Sequence, residues 1–243
     1  MIKIIETLKN KMKKVKEKGW IACDHKNVGC AGLKLEKLLE INPDNFEIPD
    51  FHGIEIKTKK SITNDRITLF SATPDSYLFE MKRIYEAYGY PASNKSNLKV
   101  LNTIVDTKYK RKVGKNFYFM LNVNRNKNVI ELLVYDKAGI IDKKTSWSFD
   151  LLKEKLERKL KYLCFVNVDT KYSNNQLYVK YKNDTYYKLK NFETFLYLLE
   201  NGIITITIRL GVFKYGKKYG QLHDHGTGFC IDKDNLYLLF DQI

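Results

Sequence analysis

No apolar run in this 243-residue chain approaches the ~18 residues that a membrane-spanning helix needs, so no membrane partner is expected. The N-terminal segment MIKIIETLKNKMKKVKEKG lacks a continuous apolar core and does not read as a secretory signal. Cysteine is scarce. Cys23, Cys30, Cys164 and Cys230 form no CxxC pair, which argues against zinc, and are too few for a disulfide framework. A reducing, cytoplasmic setting fits that usage. Internal repeats, low-complexity tracts and Pro/Ser-rich linkers are missing too, and with them any clean domain boundary.

Arginine is also rare. It occurs only as Arg66, Arg83, Arg111, Arg125, Arg158 and Arg209, although the formal net charge is +15. A lysine-rich surface is either a solvated face or a site for a polyanion, bound through counterion release. In such a chain each arginine is a candidate for forked, bidentate recognition that a point charge does poorly.

The hydrophobic fraction of 44% and aromatic fraction of 13% are those of a globular protein. Ile4, Ile5, Leu8, Met12 and Val15 recur at helical spacing and predict a first helix closed by Gly19. A second helix carries Leu35, Leu38 and Leu39 on one face. Strands are expected over 48–58 and 67–72, and a helix from Thr73–Pro74 to Gly89, with Tyr77 and Leu78 on its apolar face. Further strands follow at LKVLNTIVD, NFYFMLNV and NVIELLVYD, then a helix over about 149–161 with Ser148 or Asp150 near its cap. QLYVKY-KND-TYYKL reads as a hairpin, Asn191 as a helix cap, ITITIRLGVF as a strand and LYLLF as a last strand. The class is α+β, with two lobes sharing one chain.

The densest chemistry lies in PDFHGIEIKTKK, residues 49–60. Strand alternation puts Ile54 and Ile56 on one face and Glu55 and Lys57 on the other. Asp50 precedes them, and Gly53 permits a bend between the two acids. Two carboxylates with a backbone carbonyl suit Mg²⁺, and a neighbouring lysine can orient an attacking water. An amphipathic strand with a surface Glu–Lys pair is the alternative. His52 is opposite in parity to Glu55 and Lys57.

The order of helix with Glu36, acidic strand, E-x-K strand and third strand is similar to the PD-(D/E)xK nuclease core with its mixed β-sheet. Residues 29–74, GCAGLKLEKLLEINPDNFEIPDFHGIEIKTKKSITNDRITLFSATP, more specifically resemble the MvaI/BcnI-like type II restriction endonucleases, relatives of the mismatch-repair nicking enzyme MutH. The matching pieces are Gly32–Glu36, PDFHGIEIKT, and TLF with a proline four residues after the Phe. A second block, HDHGTGF at 223–229, looks like the family's DNA-reading segment.

The resemblance implies a Mg²⁺-dependent, sequence-specific endonuclease acting on double-stranded DNA. Asp50 and Glu55 would hold the metal, Lys57 would serve the nucleophile, and Glu36 would add an outer carboxylate. It further implies a monomer that clamps DNA between two lobes and nicks each strand in turn at a short G·C-rich site of the CCNGG type. A companion methyltransferase would act separately. Residues 1–95 would form the catalytic lobe, completed by part of 96–170, and 171–243 the recognition lobe. A MutH-like single-strand nicking enzyme and an inactive DNA-binding protein are the alternatives.

His223, Asp224 and His225 offer a donor–acceptor–donor trio to G·C edges, with Thr227 beside them. Arg209 is the leading candidate for a bidentate guanine contact. Lys214, Lys217 and Tyr219 fall in a basic–aromatic loop suited to phosphate. Cys230 stands where family members tend to carry a basic residue.

Overall fold

A computed structural model describes residues 1–25, 27, 29–41, 48–61, 66–76, 79–93 and 98–243. The chain forms two compact units, each assembled from separated segments. The first comprises Met1–Ile67, Glu157–Lys190 and Leu236–Ile243, and the second Thr68–Leu156 and Asn191–Asn235. The expected division at 95 and 171 runs differently: residues 68–95 lie in the second unit and 171–190 in the first.

The first unit is built on a five-stranded sheet. Its order is Ile21–Ala22, Gln176–Leu189, Tyr162–Ser173 and Glu55–Lys60, with Phe240–Gln242 also pairing the second of these. Glu55–Lys60 runs parallel to Tyr162–Ser173, setting Glu55 opposite Leu163 and Lys57 opposite Phe165. The other pairings are antiparallel, so the sheet is mixed. The helix Ile2–Glu17 buries Ile5, Leu8, Met12 and Val15, the stripe its periodicity predicts. The helix Cys30–Leu38 adds Leu35 and, just past its end, Leu39 to the same core, with Phe51, Ile54, Val166 and Val179. Truncating a fully buried leucine in such a core costs about 2–5 kcal/mol.

The structure departs from three local expectations. Gln176–Leu189 is one continuous strand, so KND is not a turn; a register shift between Val166 and Val168 absorbs the irregularity. The reversal lies instead at Asn174 and Asn175, whose φ values of 48° and 60° are those of a two-residue hairpin turn with both central residues at positive φ. LYLLF is the short helix Leu236–Leu239 followed by a strand. Lys190 Nζ donates to the Tyr237 and Leu238 carbonyls at 2.9 and 3.2 Å, which caps that helix's end. Finally, against the expectation of reduced thiols, Cys23 and Cys30 are joined in a disulfide. The ends of a strand and a helix bring their Cα atoms to 6.1 Å, within bonding range.

The second unit holds two sheets. One runs Ser146–Ser148, Val129–Tyr135, Phe117–Asn124, Arg111–Val113, and the other Arg66–Ser71, Gly228–Asp232, Thr205–Val212, Lys99–Val105, Tyr90–Pro91. The Asn191 side chain accepts from Thr194 N at 2.8 Å and caps the helix Phe192–Glu200 as predicted. Ser148 Oγ likewise accepts from Leu151 N at the start of Phe149–Leu160.

The helix expected from Thr73–Pro74 begins only at Glu80. Residues before it are tied elsewhere: Trp147 Nε1 donates to Ala72 O, and Asp75 bonds the backbone of Ser146 and Ser148. Tyr77 and Leu78 lie outside the described residues.

Candidate active site

Residues 48–54 do not continue the strand as expected. Phe51 and Ile54 bridge across His52 and Gly53, at φ 45° and 92°. This tight reversal carries Asp50 back over the start of Glu55–Lys60. Asp50 Oδ2 accepts from Ile56 N at 2.7 Å, which fixes the carboxylate there. His52 serves as a turn residue, its ring edge-on to Phe51.

Ile54 faces the core as alternation requires, but Glu55 is also buried, at 2% exposure. Its Oε1 accepts from Lys57 Nζ at 2.6 Å and lies 3.6 Å from Lys159 Nζ. Its Oε2 is buried without a hydrogen-bond partner. Burial raises the Glu55 carboxyl, opposed by the Lys57 charge and reinforced by Asp50. Burial also raises Glu36, and Asp50 adds to that shift, while Lys57 and Lys159 oppose it. Glu36, Asp50, Glu55 and Lys57 therefore form one electrostatic cluster. Lys159 belongs to it as well and was missed. It comes from the last turn of Phe149–Leu160, and in a lysine-rich sequence nothing local marks it.

Among the described residues, no group of three or more His, Cys, Asp or Glu side chains is arranged to hold a metal. Magnesium asks for less, since one or two carboxylates with water suffice. Asp50 and the unpartnered Oε2 of Glu55 provide such a hard oxygen donor set. Leaving a buried carboxylate oxygen unpaired costs about 1–3 kcal/mol, a cost that a cation would relieve.

The second cluster centres on the strand Thr205–Val212. The strand Leu222–Asp224 pairs with it, Gly211 opposite His223. The rings of Phe213 and His223 stack at 4.2 Å, and His225 lies 3.9 Å beyond. Arg209 Nε and Nη2 donate to the carbonyls of Gly226 and His225 at 3.3 and 3.2 Å. One forked edge of its guanidinium thus braces the loop. Asp224 Oδ1 accepts from Gly226 N at 2.7 Å, and Gly226 takes φ 83°.

Asp224 and His225 are exposed and His223 half-buried. Thr227 departs from its expected place at a DNA surface. It is 2% exposed and its hydroxyl donates to Met81 Sδ at 3.8 Å, so it packs beneath the loop. Cys230 is buried against the hydroxyls of Thr68 and Thr207, withdrawn from any surface ligand. Lys214, Lys217 and Tyr219 are exposed on a turn in which Gly220 N donates to Phe213 O.

Residues 9–240 match the model of the MvaI/BcnI restriction endonuclease family. Among solved structures, the chain is similar to the restriction endonuclease MvaI in complex with cognate DNA substrate. Identity is 31%, TM-score 0.92, and coverage 100% of this chain and 98% of that one. It is also similar to MvaI in the absence of DNA, at 29% identity, TM-score 0.65 and the same coverage. No curated protein matches.

Proposed function

The chain belongs to the MvaI/BcnI restriction endonuclease family and is a type II site-specific deoxyribonuclease; from that premise we propose that its active site is Asp50, Glu55 and Lys57, in a PD-(D/E)xK arrangement that works with Mg²⁺. The observation carrying this reading is Glu55. It is buried, held on one side by Lys57 at 2.6 Å, and has its second oxygen unpaired.

Asp50 and Glu55 would hold the cation, which supplies Lewis-acid polarisation of the phosphate oxygens. The Lys57 ammonium orients the attacking water and offsets charge developing on the phosphate. Glu36 stands behind them as an outer carboxylate. Lys214, Lys217 and Tyr219 clamp the DNA backbone, and His223, Asp224 and His225 read base edges from a loop braced by Arg209. Thr227 and Cys230, being buried, support that loop from below.

The enzyme acts as a monomer, nicking each strand in turn at a short G·C-rich site of the CCNGG type and leaving 5′-phosphates. A companion methyltransferase acts separately. Incubation of supercoiled plasmid with protein and Mg²⁺, with and without EDTA, tests this. Discrete linear fragments that vanish with EDTA support it. Persistent open circles would replace it with single-strand nicking, and shifted but uncut DNA would remove the chemistry.

A further inference from the structure

Lys159 enters the first unit on the last turn of Phe149–Leu160 and sits 3.6 Å from the Glu55 oxygen that Lys57 already holds at 2.6 Å. Its charge also acts on Glu36. A helix-terminal lysine that only completed the helix dipole would have no need of a buried carboxylate on another strand. The Lys159 side chain is 28% exposed, so it is not sealed in the core with Glu55.

The charges can be followed through the reaction. Three carboxylates, Glu36, Asp50 and Glu55, face two ammonium groups, an excess of one negative charge. A divalent cation overcorrects that excess by one, and the singly charged scissile phosphate then restores neutrality. Without Lys159 the cation alone would neutralise the site, leaving the phosphate uncompensated in a partly desolvated place.

We propose that Lys159 is a second phosphate-directed lysine of this site, which opposes cation binding in the absence of DNA and offsets the scissile phosphate once DNA is bound. The inference rests on the nuclease reading above. It predicts effects of opposite sign from one substitution. Lys159→Met keeps the aliphatic stem and removes the charge, so it should strengthen the cation's hold and slow the chemistry. A merely structural lysine would weaken both together when replaced.

Mn²⁺ binding to DNA-free protein by calorimetry, and single-turnover plasmid cleavage at saturating Mg²⁺, test this on wild type, Lys159→Met and Lys159→Arg. Lys159→Met is expected to bind Mn²⁺ up to about tenfold tighter and to cleave at least about tenfold more slowly, the size of a ~1.4 kcal/mol change. Lys159→Arg, which keeps the charge, should depart from wild type less than Lys159→Met in both. Unchanged or weaker Mn²⁺ binding by Lys159→Met, or cleavage at the wild-type rate, overturns the proposal. A wild-type protein that cuts no DNA counts against the nuclease reading alone, and the Mn²⁺ comparison still decides for or against Lys159.

Discussion

Glu55 has one oxygen against Lys57 at 2.6 Å, which favours its ionised form, and the other buried without a partner, which opposes it. Burial raises the carboxyls of Glu55 and Glu36 above the ordinary range. The native state therefore retains protons that the unfolded chain has released. This contribution to stability is fully present below the ordinary carboxylate range and is lost as pH rises through the raised values. Glu55→Gln, which mimics the protonated form, should accordingly stabilise the protein at neutral pH and flatten its pH dependence while ending cleavage. Urea titrations at about pH 5 and about pH 8 would show it, and a destabilised variant would refute the desolvation argument. Arg209→Ala should cost ~1–3 kcal/mol of discrimination, spread over several base pairs because the loop it braces slackens. Cleavage of singly substituted sites measures this; a loss confined to one pair would restore a direct guanine contact. That Asp50, Glu55 and Lys57 stand together at the start of one strand was legible because one short motif holds all three. The burial of Thr227 was not, because exposure depends on Met81, which comes from a distant segment.

At the scale of elements, periodic helices and cap residues were readable, whereas reversals were less so. Asn191 and Ser148 announce their helices because capping is a local contact. The turn at Asn174–Asn175 was equally local, but the polar KND run competed with it. Only the pairing with Tyr162–Ser173 shows that Asp184 lies opposite Val166 within a strand. The delayed start of Glu80–Tyr88 is a tertiary effect, since Ala72 and Asp75 bond with residues far along the chain. Gly53 is where an element's geometry bears most directly on the site. At φ 92° it closes the reversal that returns Asp50 to the strand. An added Cβ would meet Met1 Cε at an ordinary 3.7 Å, so the penalty for Gly53→Ala is conformational, about 1–2 kcal/mol. Thermal unfolding should show that loss, with a larger fall in cleavage than in DNA binding. Equal falls in both would mean that the turn does not position the acids.

At the scale of the whole molecule, the absence of a boundary in the sequence has a plain cause. The chain leaves the first unit after residue 67, returns at 157, leaves again after 190 and returns at 236. No linker is needed where each passage continues through ordered elements such as Arg66–Ser71 and Phe149–Leu160. The charge of +15 acts at this scale too. DNA affinity should fall steeply and linearly on a logarithmic salt axis, through counterion release from lysine contacts; a flat dependence would assign the lysines to solvation alone. Cleavage turns on Lys57, and the most direct test compares wild type with Lys57→Ala for both DNA binding and single-turnover cleavage of supercoiled plasmid in Mg²⁺. The expected result is nearly unchanged binding with cleavage lost by orders of magnitude. Cleavage by Lys57→Ala at the wild-type rate would contradict the account.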